Sequence, residues 1–525
     1  MVLAALSDLK CQRHHLPSIK ASPHWRYQRK GNPMNNSAIS SQLGKDLQLR
    51  ARAAGVLLGT ACGDALGAGY EFGPPLPADF PIKMKGGGTH GGAPGEWTDD
   101  TSMAVAIAEA ALQHDLRLDD AQDLIAARWI DWARTAPDVG IQTRTVLSAG
   151  AKQRTAEALR GAASANHERT GRSGGNGSLM RTAPVALAFL DDPEGLATAA
   201  RAISDLTHPD QDAGDACVIW CLAIRHAVLT GTFDGVYLAL DQLPSDRAQV
   251  WRERLAEAET NPPSKFDRNG WVVQALQAAW SAITRTPVPA ENPAADTYSA
   301  QHFQLALEEA VRGGNDTDTV AAIAGSLLGA RWGVSAVPLQ WQRIVHGWPG
   351  LRANNLVRIS QALAFNEPVE LDLDYSWLGQ MATVTAHPRD PGILLGPIGA
   401  IPTLPSNVDA IVSLCRIDSK HVPASMAAAS NPVEVWLIDT SDPAANEHLH
   451  FVLAQAADAV VQLRSEGRTV FLHCAAGQSR TPTVAALVGA RLAGISPSTA
   501  LAEVLAALPD PMVNPYFHQT VQDWV

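Results

Sequence analysis

The chain has 525 residues, 53 acidic against 41 basic side chains, a formal net charge of −12 at pH 7 and 46% hydrophobic content. That length exceeds what one hydrophobic core sustains, so two or more domains are expected. The acidic balance excludes a basic nucleic-acid-binding face, and no uninterrupted apolar run approaches the roughly 18 residues that span a bilayer, so neither nucleic acid nor membrane is expected as a partner. Six cysteines, Cys11, Cys62, Cys217, Cys221, Cys415 and Cys474, show no framework spacing, which points to a reducing cytoplasm. Cys217 and Cys221 sit one helical turn apart in an apolar stretch and are expected to pack in a core.

Residues 1–45 are expected to be a disordered tail or an upstream start, with Met34 the expected initiator, because their first part lacks helical periodicity and a signal-peptide apolar region. From residue 46 apolar residues recur at three- and four-residue spacing. This predicts helices over Leu47–Leu66, Thr101–His114, Ala121–Arg134, Gly195–Leu206, Ala213–Leu229, Asp246–Glu259, Trp271–Ala282, Ala300–Arg312 and Thr319–Trp332. An all-α domain over 46–365 follows, crossed by glycine-dense loops at Lys85–Gly95 and Gly171–Gly177 that suit close backbone approach to a ligand. The acidic, proline-containing segment 366–375 reads as a linker. Beyond it, β-type runs at Ile393–Leu395, Ala410–Leu414, Val433–Ile438 and Thr469–Leu472 alternate with helical patterns at Asn446–Ser465 and Thr483–Leu492. Residues 376–525 are therefore expected to form a smaller α/β domain.

Two acidic clusters stand out, Trp97-Thr98-Asp99-Asp100-Thr101 and Asn315-Asp316-Thr317-Asp318-Thr319. Each opens a helical run. Asp and Thr are favoured helix caps, and one such cluster alone is more simply a cap than a ligand set. A cap needs one side chain, however, and each cluster offers two carboxylates and at least two hydroxyls. Crowded carboxylates repel, and hard oxygen donors suit Mg²⁺, Mn²⁺ or Ca²⁺.

Other motifs join them in order: Gly63-Asp64-Ala65-Leu66-Gly67, Glu71, Gly174-Gly175-Asn176-Gly177-Ser178-Leu179-Met180-Arg181 and Thr207-His208. With these, residues 46–365 closely resemble the ADP-ribosylglycohydrolase family, all-α hydrolases that include dinitrogenase reductase-activating glycohydrolase. The resemblance implies a centre of two Mg²⁺ or Mn²⁺ ions. Its metal-facing residues would be Thr98, Asp99, Asp100, Asp316, Asp318 and Thr319, with Glu71 close by and Asp100, Asp318 or Glu71 as general base. It also implies that Ser173, Gly174, Asn176, Gly177, Ser178 and His208 line the ADP-ribose cleft, the glycine loop meeting the diphosphate, while Asp64 is structural. Oriented ribose hydroxyls and an acidified water fit hydrolysis of an N- or O-glycosidic bond at ribose C1″.

A second signature is Thr469-Val470-Phe471-Leu472-His473-Cys474-Ala475-Ala476-Gly477-Gln478-Ser479-Arg480-Thr481-Pro482, a strand, a small-residue loop and a helix. A loop that ends at a helix N-terminus presents successive N–H groups to one phosphate and favours a thiolate. The segment resembles protein tyrosine and dual-specificity phosphatases over 376–525. That resemblance implies Cys474 as nucleophile, Arg480 as bidentate clamp and Thr481 as donor to the sulfur, with no cofactor. The acid that protonates the leaving oxygen is Asp439, which closes the Val433–Ile438 run, or Asp442, which is closer by spacing.

The expected protein is a bifunctional hydrolase. It would remove ADP-ribose from a modified protein or an ADP-ribose derivative, and phosphate from a phosphoprotein or small phosphate ester. Two alternatives stand beside it: sequential processing of one phosphorylated ADP-ribose or nucleotide-sugar substrate, and an ADP-ribose or phosphoprotein binding module without turnover.

Overall fold

The computed structural model describes residues 36–88, 91–370, 372–379, 381–418, 420–422 and 432–524. The expectation for residues 1–35 lies outside them. From Asn36 to Lys45 the chain is already helical, because the opening helix runs Asn36–Gly67; the expected tail is shorter than residues 1–45.

One helix pair organises the N-terminal domain. The opening helix carries Gly55, Gly59, Gly63 and Gly67 four residues apart and so along one face. The Thr317–Trp332 helix answers with Ala321, Gly325 and Gly329. A Cβ built on Gly59 would lie 2.2 Å from the Gly325 carbonyl oxygen, and one on Gly63 would lie 2.0 Å from that of Ala321. The two backbones are therefore in direct contact, which only glycine permits. At the end of this seam a Cβ on Gly67 would lie 2.4 Å from Asp318 Cα. Thr317 Oγ1 donates to the Gly67 carbonyl at 2.9 Å. The seam thus fixes the end of the first helix, with Asp64, against the start of the second, with Asp318.

Around this pair lie helices Gln211–Thr230, Val272–Arg285 and His302–Arg312. Trp220 Nε1 donates to Ile323 O at 3.0 Å and Ser326 Oγ at 3.1 Å, so the indole pins one helix to the central one. Among the described residues Gln211–Thr230 is long and apolar enough to cross a membrane, yet 78% of the apolar window is buried in the protein. It is a core helix, and Cys217 and Cys221 are buried in it. Helices at Ile141–Gly150, Ala156–Thr170 and Ala353–Phe365 were not expected from the sequence. In Ala156–Thr170 the apolar stripe is thin, with only Ala156, Leu159 and Ala163 buried.

The C-terminal unit is a five-stranded sheet in the spatial order Thr385–His387, Asp390–Pro397, Val470–Cys474, Ala410–Ser413, Val433–Glu434. The last four strands are parallel and the first is antiparallel. The central strand Val470–Cys474 is buried throughout, as parallel strands covered on both faces must be. Leu449–Ser465 and Arg480–Ala493 pack against it, with Pro497–Ala507 and Pro515–Gln522 following.

The run expected as a strand over Val433–Ile438 pairs only through Glu434. Beyond it, Trp436 packs against the core of the helical domain, and the Asn446 side chain takes over both backbone groups of Ile438 at 2.9 Å. The two units are thereby joined. His448 bonds the Trp332 carbonyl at 3.0 Å, Arg343 pairs with Glu466 at 2.9 Å, and Tyr298 meets Phe451 edge to face. The linker segment is strapped as well, Glu367 pairing with Arg50 at 2.7 Å.

Candidate active sites

Both acidic clusters sit at helix starts, yet neither serves as a cap. Thr98 occupies the N-cap of Asp99–Ala111 and Asp316 that of Thr317–Trp332, and neither side chain makes a capping hydrogen bond. Instead the seam brings the clusters together. Carboxylate oxygens of Asp64, Asp100 and Asp318 lie within 4.8 Å of one another, as do those of Glu71, Asp316 and Asp318. Thr98 Oγ1 reaches Asp100 Oδ2 at 3.1 Å and Asp318 Oδ2 at 3.4 Å.

Burial and mutual repulsion raise these carboxyls together. Burial first, then Asp316, Asp138 and Asp64, pushes Glu71 up to about 8. Asp99, Asp100 and Asp318 are raised well above the ordinary range, by burial first and then by neighbouring carboxylates. Asp100 Oδ1 is buried without a hydrogen-bond partner among the described residues. A set of hard oxygen donors, one of them orphaned, with more negative charge than protein donors balance, fits a divalent cation. Two residues stand apart from the rest of the set. Asp64, expected to be structural, accepts from the backbone and hydroxyls of Thr98 and Thr101, but its carboxylate also lies in the grouping. Asp99 falls outside both groupings and accepts the Gly140 N–H at 3.3 Å. Thr319 donates its N–H to Asp318 Oδ1 at 2.9 Å, while its hydroxyl faces the Met180 sulfur at 3.9 Å.

The glycine loop abuts the second cluster. Asn176 Nδ2 donates to Asp316 Oδ2 and to the Asn269 carbonyl, both at 2.8 Å. A Cβ on Gly175 or Gly177 would lie 3.2 Å from the His208 ring, so the buried imidazole supports this loop from beneath. Burial and the nearby Arg181 hold His208 well below the ordinary imidazole range, hence neutral. Ser173 bonds His167 through its hydroxyl at 2.6 Å, Ser178 is buried, and a Cβ on Gly174 would face the Asp210 carboxylate.

Two residues of this site were missed in the sequence. Asp138 adds carboxylate charge against Glu71 and Asp99; its only local signal is the turn Pro137-Asp138-Val139-Gly140. Asn269 accepts the Asp316 N–H at 3.1 Å and donates to Gly314 O at 2.9 Å, tying the glycine loop to the acidic cluster. A lone Asn between helices carries no spacing that would reveal it.

In the C-terminal unit the loop from Cys474 to Arg480 joins the central strand to a helix N-terminus. Gly477 has φ 73°, and a Cβ there would lie 2.8 Å from the Gly396 backbone. Cys474 is buried. Arg480 Nη1 donates to Leu414 O at 2.6 Å and Leu437 O at 3.1 Å, and its Nε lies 3.5 Å from Asp439 Oδ2. Thr481 Oγ1 and His473 Nε2 are buried with no hydrogen-bond partner among the described residues. Burial lowers His473 to about 3, so it is neutral.

Of the two acid candidates, Asp439 accepts the Ser479 hydroxyl at 2.9 Å, although it closes no strand. Asp442 caps the short turn after it, accepting the Ala444 N–H at 3.0 Å. It also lies against Gly44 of the opening helix.

The family model for ADP-ribosylglycohydrolase matches residues 45–368. The chain belongs to the ADP-ribosylglycohydrolase family. It is 29% identical over 334 residues to ADP-ribosylarginine hydrolase Tri1 of Pseudomonas putida (strain GB-1), covering 62% of this chain and 80% of that protein. It is 30% identical over 296 residues to ADP-ribosyl-[dinitrogen reductase] glycohydrolase of Rhodospirillum rubrum, covering 55% and 88%. A solved "ADP-ribosylglycohydrolase-related protein complex" aligns at 30% identity over 60% of this chain and 98% of that one, with TM-score 0.45. The family match ends at 368 and leaves the C-terminal unit outside it.

Proposed function

We propose that the helical domain hydrolyses the N-glycosidic bond between ADP-ribose and an arginine side chain of a modified protein, with divalent cations held by the acidic grouping. The observation that carries this is the convergence of carboxylates from two separate helix starts within 4.8 Å. Thr98, Asp100, Asp316 and Asp318, joined by Asp64 and Glu71, would hold the cations, Mg²⁺ or Mn²⁺. Bound there, the cations supply Lewis acidity toward the ribose hydroxyls and toward a water. The Gly174–Ser178 loop receives the diphosphate through its backbone N–H groups, a role its glycines permit. Glu71, in the grouping with Asp316 and Asp318, is placed to take a proton from a water held there. The arginine linkage is supported by the name of the Pseudomonas relative, an ADP-ribosylarginine hydrolase.

The C-terminal unit is proposed to hydrolyse phosphate monoesters. Cys474 would take the phosphoryl group, Arg480 would clamp its oxygens through Nε and Nη2, Thr481 would donate to the departing sulfur and Asp439 would protonate the leaving oxygen. Support comes from the strand–loop–helix placement of Cys474 and Arg480 and from the Arg480 Nη1 bonds to Leu414 O and Leu437 O that anchor the guanidinium. One panel tests both readings. Wild type, Asp316→Asn and Cys474→Ser are assayed with Mg²⁺ or Mn²⁺ on ADP-ribosyl-arginine, ADP-ribosyl-serine, O-acetyl-ADP-ribose and an aryl phosphate. Asp316→Asn should remove only ADP-ribosyl-arginine hydrolysis and Cys474→Ser only phosphate release. Preference of wild type for ADP-ribosyl-serine would refute the linkage, and phosphate release that survives Cys474→Ser would refute the second site.

A further inference from the structure

Ser479 occupies the N-cap of the Arg480–Ala493 helix, where a serine ordinarily accepts an N–H from the first turn. It makes no such cap. Its hydroxyl donates to Asp439 Oδ1 at 2.9 Å and accepts the Asn514 backbone N–H at 3.1 Å. Asn514 Nδ2 lies 3.4 Å from the same Oδ1. Oδ1 thus faces two donors, the Ser479 hydroxyl and the Asn514 amide, whereas Oδ2 receives no hydrogen bond among the described residues and lies 3.5 Å from Arg480 Nε. Two donors on Oδ1 favour it as the acceptor oxygen and leave Oδ2 to carry the acid proton.

We propose that Ser479, itself held by Asn514, is a positioning residue that aims the Asp439 proton at the phosphate-clamping edge of Arg480. The assignment rests on the reading of the Cys474 loop as a phosphomonoester hydrolase. In the first step the Cys474 sulfur forms the S–P bond as the ester P–O bond breaks, and the leaving oxygen takes the proton from Asp439 Oδ2. Ser479 keeps its own proton and its bond to Oδ1. In the second step water attacks phosphorus, its proton returns to Asp439, and inorganic phosphate and the thiolate are released. Ser479 touches no reacting atom. Its effect passes through Asp439 and scales with how much the leaving group needs a proton.

That dependence separates positioning from bracing the loop. The full-length chain is assayed with p-nitrophenyl phosphate, whose leaving group departs unprotonated, and with glycerol 2-phosphate, whose leaving group needs the proton. Ser479→Ala should lower kcat/KM, which reports the steps through P–O cleavage and not the later attack of water, about tenfold on glycerol 2-phosphate, the effect of losing one hydrogen bond to a carboxyl, and less than about threefold on p-nitrophenyl phosphate. Ser479→Thr, which keeps the hydroxyl, should restore both rates. In an Asp439→Asn background Ser479→Ala should have no further effect. Equal losses on the two substrates, or losses additive with Asp439→Asn, would overturn the positioning role. If Ser479→Ala does not fold, Ser479→Gly, which also removes the hydroxyl and is tolerated at a helix N-cap, carries the same test with the same selective loss expected and equal losses overturning it. Absence of Cys474-dependent hydrolysis in wild type would instead overturn the phosphatase reading and this assignment with it.

Discussion

The glycine seam makes a sharp prediction at Gly59. Replacing glycine by alanine inside a helix ordinarily gains about 1 kcal/mol from backbone entropy. At Gly59 the new methyl would lie 2.2 Å from the Gly325 carbonyl oxygen. An ordinary carbon–oxygen contact is about 3.3 Å, so the two helices must part by about 1 Å. The obstructing atom is backbone on a buried helix and cannot rotate away. Overpacking of a core costs about 1–3 kcal/mol, and parting this pair also loosens dispersion contacts along the whole seam. The net expectation for Gly59→Ala is a loss of about 2 kcal/mol and, for a domain of about 320 residues, a fall in Tm of about 3 °C. Gly161→Ala is the control, because that helical glycine meets nothing within 4 Å; it should gain up to about 1 kcal/mol. Urea unfolding with a scan of Tm measures both. Gly59→Ala at or above wild-type stability, or the two variants shifting in the same direction, would refute the seam argument.

Three further outcomes follow from the same contacts. Asp318→Asn, which touches both carboxylate groupings, should abolish Mn²⁺ binding by calorimetry while leaving Cys474-dependent phosphate release intact. Asp442→Ala should remove a cap worth about 1 kcal/mol and spare phosphate release, whereas Asp439→Asn should lower glycerol 2-phosphate hydrolysis about a hundredfold; steady-state rates on the two variants separate them. At the boundary between the units, burial pushes Glu434 from an ordinary 4.5 up to about 7, against smaller opposing effects of Arg358 and Arg416. The folded chain therefore holds a proton there that the unfolded chain releases. The stability this contributes is full below pH 4.5 and is lost as pH rises to about 7, on the order of 1–3 kcal/mol. Urea midpoints across pH 4–8 for wild type and Glu434→Gln check it, the difference between them vanishing if the carboxyl titrates normally.

Helices with a dense apolar stripe were legible in the sequence to within a few residues. Ala213–Leu229 was expected and Gln211–Thr230 is found; Thr319–Trp332 was expected and the helix starts at Thr317. Where the stripe thins, as in Ala156–Thr170, periodicity gave no signal. In the C-terminal unit the run Val433–Ile438 has strand composition throughout. It leaves the sheet after Glu434 because Trp436 finds a better partner in the helical core and Asn446 satisfies the freed backbone at Ile438.

By itself the sequence determined the chemical inventory: two carboxylate-rich helix starts, a glycine loop and a cysteine–arginine loop at a strand–helix junction. Those are local patterns, carried by residues next to one another in the chain. Tertiary structure alone decided which atoms meet. The seam of Gly55, Gly59, Gly63 and Gly67 brings Asp64 and Asp100 to Asp318, Asn269 ties the glycine loop to Asp316, and Ser479 gives up its cap to hold Asp439. Each of these contacts joins residues at least 36 positions apart, beyond the reach of any local spacing. In the helical domain the physical reason is the close approach of two backbones, which sets the end of one helix against the start of the other; in the C-terminal unit it is the packing of the Asp439 segment against the start of the Arg480–Ala493 helix.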